Sequence, residues 1–421
     1  MATRLYSPLL LALLLVVTAA SARAADYELL YHAAVSPDSE VARVEIRLRG
    51  ERLPRKLMLH LNPDRHLALH SDAGLTLAGD TATWEPQGPD ASLHYEFVIS
   101  EKKSSGRYDS LLTDDWAILR SDKLIPPITA TVAKGLTASA ELQFELPENW
   151  SSAAPYANTS KSSNHYQIVD PGRRLPRPKG WLILGNISSR QDSIDGVDVR
   201  VAAPAGQGER LQDTLAFLAW TIPDVKAVFP GFPEHLLVVT AGKPMWRGGL
   251  SGTRSLFMHS DRPLISGNRT SSMIHELIHV AAGINGGKDA DWIVEGLAEY
   301  YAANILWRSG AVSDLRYQQV LDWKETWGRK ADTLFVKRSS GPVTARAAVF
   351  MHRLHLALQE ASDGAVGLDE VARELARDRG RVSLFQLKQI VQKLAGDSVD
   401  VDAIIAGLER GGSRGGSGHA F

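Results

Sequence analysis

Over residues 27–146 apolar and polar side chains alternate with a period of two. Val44, Ile46 and Leu48 alternate with Arg43, Glu45 and Arg47, and Leu93, Tyr95, Phe97 and Ile99 with His94 and Glu96. Leu142, Phe144 and Leu146 alternate in the same way with Glu141, Gln143 and Glu145. Successive strand side chains point to opposite faces, so this pattern predicts half-buried antiparallel strands, separated by turns such as Ser36-Pro37-Asp38 and Gly88-Pro89-Asp90. An N-terminal antiparallel β domain, a sandwich or saddle, follows. Residues 149–179 are rich in Ser, Asn, Pro and basic side chains and read as a linker or wrapping loop. Strands are then expected at 181–184, 197–201 and 236–239, with a helix at 211–222 stopped by Pro223. From Ser271 to about Glu360 the period is helical, and Ser383 to Gln386 is a capping box for a helix closing at Gly396.

Composition narrows the chemistry. The chain has 421 residues with 47 Lys+Arg against 48 Asp+Glu, a net charge of −1 that gives no electrostatic case for nucleic acid or anionic lipid. It contains no Cys, which removes disulfides, thiolate metal sites and Cys nucleophiles, so any metal must sit on His and carboxylates. Arg4, the apolar run 9–17 and Ala22-Arg23-Ala24 fit a cleaved export signal over residues 1–24, placing the mature protein in the periplasm or outside the cell. No second apolar run reaches spanning length, so no membrane association is expected after cleavage.

Residues 275–279 read His-Glu-Leu-Ile-His, a pentad whose chance expectation in this chain is on the order of 0.02. On a helix His275 and His279 lie one turn apart on a common face and can converge on one ion. Glu276, about 100° round the helix, can reach a metal-activated water without filling a coordination position, which suits a general base. Met273, Ile274, Leu277, Ile278 and Val280 make the helix apolar, and polar groups threaded through a buried helix need partners. The next helical segment carries Glu295 near its start, and a helix–turn–helix brings it back toward the two histidines as a third ligand. Gly296 would let these two helices approach closely, and Glu299, one turn on, can accept the free ring N–H of a ligand histidine. Two His and one Glu with an open fourth position suit a single zinc ion.

At these residues the chain resembles the gluzincin metallopeptidases, and among them the aminopeptidase N-like and glycyl-aminopeptidase-like families. The resemblance rests on His-Glu-x-x-His followed on the next helix by Trp292-x-x-Glu295-Gly296-x-x-x-Tyr300, with Glu148-Asn149-Trp150 and Ala154-Pro155-Tyr156 leaning toward the glycyl-aminopeptidase-like branch. It implies a multidomain α+β protein with an N-terminal antiparallel β domain, a thermolysin-like α/β catalytic domain and a helical C-terminal part. The corresponding division is a signal at 1–24, the β domain and linker at 25–165, the catalytic domain at 166–360, a helical segment at 361–410 and a disordered tail at 411–421. It also implies His275, His279 and Glu295 as zinc ligands, Glu276 as general base and a peptide or protein as substrate.

Three departures from the family pattern stand out. Fifteen residues separate His279 from Glu295, a few fewer than in the best-known members. The Gly-rich edge strand that lines the substrate, here Gly249, Leu250 and Ser251, carries Ser251 where the families place a Glu that holds the substrate's amino group. Thr344, before a helix expected at 345–358, stands where they place the oxyanion-stabilising Tyr, leaving Arg346, His352, His355 and Tyr317 as other donors. His60, His66 and His70 read as a partly exposed sheet face rather than a second metal site. The expected function is an exported zinc metallopeptidase. The rival is a catalytically weak or inactive, zinc-stabilised peptide-binding or assembly protein of the same fold. Cleavage direction and oligomeric state stay open.

Overall fold

The alternating segments become strands whose apolar face is buried, as in Tyr27–Ala34, where Tyr27, Leu29, Tyr31 and Ala33 point inward. The computed structural model describes residues 25–159, 164–170, 173–207 and 210–412. The export signal and residues 413–421 of the expected tail lie outside them, while Gly411 and Gly412 end the last helix.

Three sheets make up the N-terminal region. The largest has six strands, in the order His165–Ile168, Ala138–Glu145, Tyr27–Ala34, Val41–Arg49, Asp90–Val98 and His66–Ser71. One pair departs from the antiparallel expectation, since Tyr27–Ala34 runs parallel to Ala138–Glu145. Period-two alternation says which face is buried and is silent about the direction of the partner. A four-stranded sheet contains Lys56–His60 and Thr81–Trp84, and a five-stranded one contains Trp116–Arg120 and Trp181–Gly185. The stretch expected to be a linker is partly woven into these sheets: Ser151–Ala153 pairs with Trp181–Gly185, and His165–Ile168 with Ala138–Glu145.

A mixed five-stranded sheet follows, ordered Ile187–Ile194, Val197–Pro204, His235–Ala241, Ser255–His259 and Gly249–Gly252. Its three central strands are parallel and both outer ones antiparallel. One face packs Val199, Val201, Val238, Leu256 and Met258 against helices. The other packs Leu237, Val239 and Phe257 against Trp116, Ile118, Trp181 and Ile183 of the N-terminal five-stranded sheet.

Among the described residues eight helices cover the first face and build the C-terminal part: α1 (Leu211–Val228), α2 (Ser272–Ala282), α3 (Asp291–Arg308), α4 (Asp314–Gly328), α5 (Pro342–Ala361), α6 (Leu368–Ala376), α7 (Leu384–Ala395) and α8 (Val401–Gly412). Helix α1 does not stop at Pro223 but runs through it to Val228. The helix interior loses one hydrogen bond there, and burial of Val225 and Val228 beyond the proline outweighs it. Helix α5 begins at Pro342, which needs no N–H in the first turn, so Thr344 lies inside that turn rather than before the helix. The Ser383 hydroxyl accepts the Gln386 N–H at 3.2 Å and caps the start of α7, the N-cap half of the expected capping box.

Candidate metal centre

Helix α2 starts where the Ser271 hydroxyl accepts the Ile274 N–H at 3.2 Å, and it ends at Gly283, whose φ of 61° continues no helix. Its apolar stripe is buried, leaving His275, Glu276 and His279 half-buried on the remaining face. The chain returns through a turn so tight that a Cβ on Gly286 would lie 2.5 Å from the Asp291 Cα. Glycine at this point allows α3 to start directly beside α2 and accounts for the short spacing to Glu295.

The two helices bring three ligand atoms together. His275 Nε2 lies 3.2 Å from His279 Nε2 and 3.4 Å from Glu295 Oε2, and His279 Nε2 lies 3.5 Å from Glu295 Oε1. Ligand atoms about 2.0–2.1 Å from a tetrahedral zinc stand roughly 3.3 Å apart, so the spacing suits that ion with one corner left open. Among the described residues this is the one group of three or more His, Asp or Glu side chains whose ligand atoms converge within 4.8 Å.

A further set of contacts holds the ligands. His275 Nδ1 donates to Glu299 Oε2 at 3.1 Å, which turns its Nε2 toward His279 and Glu295. The other oxygen of Glu299 accepts a hydrogen bond from the Lys324 ammonium of α4. Burial raises the Glu299 carboxyl, but Lys324 and His275 more than reverse this and bring its pKa down to about 2. Burial likewise lowers His275, while Glu295 and Glu299 outweigh it and lift that imidazole to about 10. His279 has the opposite fate: burial and the charge on His275 hold it at about 4, a neutral ring with a lone pair to give. Glu295 is kept below the usual carboxylate range, the burial penalty being overcome by the two histidines. Burial pushes Glu276 up, which favours proton acceptance nearer neutrality than an exposed carboxylate allows.

No protein-family model and no curated protein matches the chain. Solved structures do. An aminopeptidase N family protein from Idiomarina loihiensis superposes with a TM-score of 0.65 at 14% identity, covering 90% of this chain and 75% of its own. An M1 zinc metallopeptidase from Deinococcus radiodurans gives 0.59 at 15%, covering 91% and 94%, and a variant of it holds a Tyr-Ser-Ala substrate. Leukotriene A4 hydrolase from Saccharomyces cerevisiae gives 0.54 at 14%, covering 90% and 68%. The chain has an aminopeptidase N-like fold. At such identities the likeness concerns the fold, and the chemistry has to be argued from this chain's own residues.

Within that fold the edge strand Gly249–Gly252 runs beside the motif helix, and the backbone and hydroxyl of Ser251 favour the charged form of the Glu276 carboxylate against the larger upward push of burial. A Cβ on Gly249 would stand 2.5 Å from the Glu276 Cγ and 2.9 Å from its Oε1, so this glycine makes room for the carboxylate. Leu250, between them, gives its carbonyl to the Trp181 indole at 2.8 Å. Gly296 does not serve the α2–α3 approach expected of it. It faces α5, where a Cβ would meet the Ala347 Cβ at 2.9 Å.

The candidate oxyanion donors separate cleanly. Thr344 sits one turn before Ala347 on α5, and so on the side of the helix that packs against the residue next to Glu295. Arg346 donates to the carbonyls of Gly328, Asp332 and Arg329, closing the end of α4. Tyr317 stacks on Trp307 and accepts from Asn304, nine residues or about 14 Å along α3 from Glu295. His355 accepts the Leu368 N–H, and His352 stacks against Tyr300. In the β region His66 is buried against Lys123 and Asn62, His60 contacts Thr129 and His70 stacks on His94, so these three do not converge. Lys324 was not legible as part of the site. Its one signal is a lysine at a core position of α4, in the row of Tyr317, Val320, Leu321 and Gly328.

Proposed function

We propose that this chain is an exported zinc metallopeptidase whose thermolysin-like catalytic unit is the mixed sheet with helices α1 to α3. The observation that carries the reading is the approach of His275 Nε2 and His279 Nε2 to 3.2 Å of each other and of each to an oxygen of the Glu295 carboxylate within 3.5 Å, with Glu276 beside them. His275, His279 and Glu295 would hold one zinc ion, which supplies Lewis acidity that polarises a scissile carbonyl and makes water acidic near neutral pH. Glu276 is raised by burial and fixed by Ser251, so it takes the proton of the attacking water and passes it to the departing amine. The edge strand Gly249–Gly252 offers backbone groups for an extended peptide.

The test is Glu276→Gln in the purified protein. It is expected to keep stoichiometric zinc and to lose chelator-sensitive hydrolysis of a mixed peptide library, and unchanged turnover would refute the mechanism. The second reading, a peptide binder with little or no turnover, draws on the candidate oxyanion donors: Arg346, His355 and Tyr317 are engaged elsewhere, and a threonine, Thr344, stands where the resemblance calls for a tyrosine. Tight peptide binding without products, in a wild-type chain loaded with zinc, would favour it.

A further inference from the structure

We propose that Lys324 is a positioning residue of the metal centre, which through Glu299 aims the His275 ring. The inference rests on the reading above only in that an ion binds between His275, His279 and Glu295.

Lys324 is 1% exposed, in the middle of the buried face of α4. A buried ammonium costs several kcal/mol unless it is paired, so its partner is part of why the residue is tolerated there. That partner is Glu299, and the pairing divides the carboxylate between two helices: one oxygen takes the ammonium of α4, the other takes the His275 ring N–H of α2 at 3.1 Å. A carboxylate held by one oxygen can turn about its last bond. Held by both, from opposite sides, it presents a fixed acceptor to Nδ1 and therefore a fixed direction for Nε2, 3.4 Å from Glu295 and 3.2 Å from His279 Nε2.

With both histidines neutral, as metal ligands must be, three carboxylates, Glu276, Glu295 and Glu299, stand around the one ammonium of Lys324. Remove the ammonium and Glu299 is left to rotate toward other donors. A lysine that merely filled the contact between α3 and α4 would not need this pairing.

The experiment measures zinc affinity of the full chain by competition with a chromophoric chelator, alongside thermal unfolding of the metal-free protein. Lys324→Met is expected to weaken zinc about 10- to 100-fold, the range usual for loss of such a supporting contact. Glu299→Gln is expected to lose a similar factor. The double variant should lose no more than Glu299→Gln alone, because the lysine acts through that carboxylate. Lys324→Arg, which keeps the charge, should recover most of the affinity, and Lys324→Gln replaces the Met variant if the latter does not accumulate. Cobalt-loaded protein should show the same altered visible spectrum in Lys324→Met and Glu299→Gln. A Lys324→Met chain that unfolds earlier yet binds zinc as wild type does would overturn the proposal in favour of a packing role. So would losses that multiply in the double variant. A wild-type chain that takes up no zinc would instead overturn the metal reading itself, before any variant is compared.

Discussion

The two sides of the candidate metal centre are built to different standards. On the side that would face an ion, every polar group has at least two holds: His275 touches Glu299, Glu295 and His279, and Glu299 is gripped from both α2 and α4. These groups stand on α2, α3 and α4, whose remaining faces are buried in one core. On the side that would face a substrate, the edge strand is four half-buried residues long and Glu276 is steadied by Ser251 alone. An ion tolerates little error in ligand position, whereas a peptide must enter and leave, so rigidity belongs on helices and access on a sheet edge.

The largest test of this contrast is Glu276→Gln. The substitution keeps the shape of the side chain but removes the base, so turnover should fall about 10²- to 10⁴-fold while zinc affinity stays near wild type. Metal content and steady-state hydrolysis on one preparation decide it. A variant that lost zinc as well would show that the two sides are not separable.

How much of this was readable from residues alone follows the same division. The pentad on an amphipathic helix and the carboxylate one helix later are local, periodic signals, and they announced the three convergent side chains. The expected role of Glu299 was legible for the same reason, because i and i+4 share a helix face. Lys324 was not, since its partner is 25 residues away and only the packing of α4 on α3 joins them. Gly296 was read as a spacer toward α2 and turned out to face α5, which no spacing within one helix could reveal. In the β region alternation found the faces of the strands but not the parallel pairing of Tyr27–Ala34 with Ala138–Glu145. Pro223 misled because the rule for helix interiors weighs one lost hydrogen bond and not the burial beyond it.

Gly249→Ala attacks the substrate side from the backbone. A methyl there would stand 2.5 Å from the Glu276 Cγ, so either the strand or the side chain must move. Because the far end of a side chain yields more readily than a paired strand, Glu276 is displaced and kcat should fall about tenfold or more, a misplacement effect of the kind well under 1 Å produces. Zinc affinity and thermal stability should change little. An unaltered kcat would show that Glu276 has room to spare.

Asp369→Asn probes the rigid side without touching the ion. Asp369 at the start of α6 takes two hydrogen bonds from Arg308, at 2.6 and 2.8 Å, and one from the Tyr301 hydroxyl at 2.8 Å, tying the far end of α3 to the C-terminal helices. Burial raises its carboxyl, but Arg308 and Tyr301 hold it below the usual range. A depressed carboxylate stabilises the fold above its unfolded pKa of about 3.9, and the stabilisation is lost as pH falls through the folded value. The Asn variant should therefore be less stable near neutrality by about 1–3 kcal/mol, with a smaller difference from wild type in acid. Denaturant unfolding at a series of pH values measures this. Equal stability of the two proteins at neutral pH would mean that α3 is held by its core alone.

Ser251→Ala is the finest of the tests. It removes the hydroxyl that favours the charged form of Glu276 but leaves the backbone of the same residue in place, so the carboxylate keeps one of the two influences of the strand. One hydrogen bond of this kind contributes about 0.5–1.5 kcal/mol, which corresponds to a fall of roughly 2- to 10-fold in kcat. If Ser251 acts by steadying the base, KM should stay near its wild-type value and Ser251→Thr, which restores a hydroxyl, should recover kcat. If the hydroxyl instead meets the substrate directly, KM would rise and kcat would hold. The split between the two parameters thus shows whether this edge strand serves the base or the peptide, and so whether the open side of the cleft has any fixed contact for its substrate beyond the backbone.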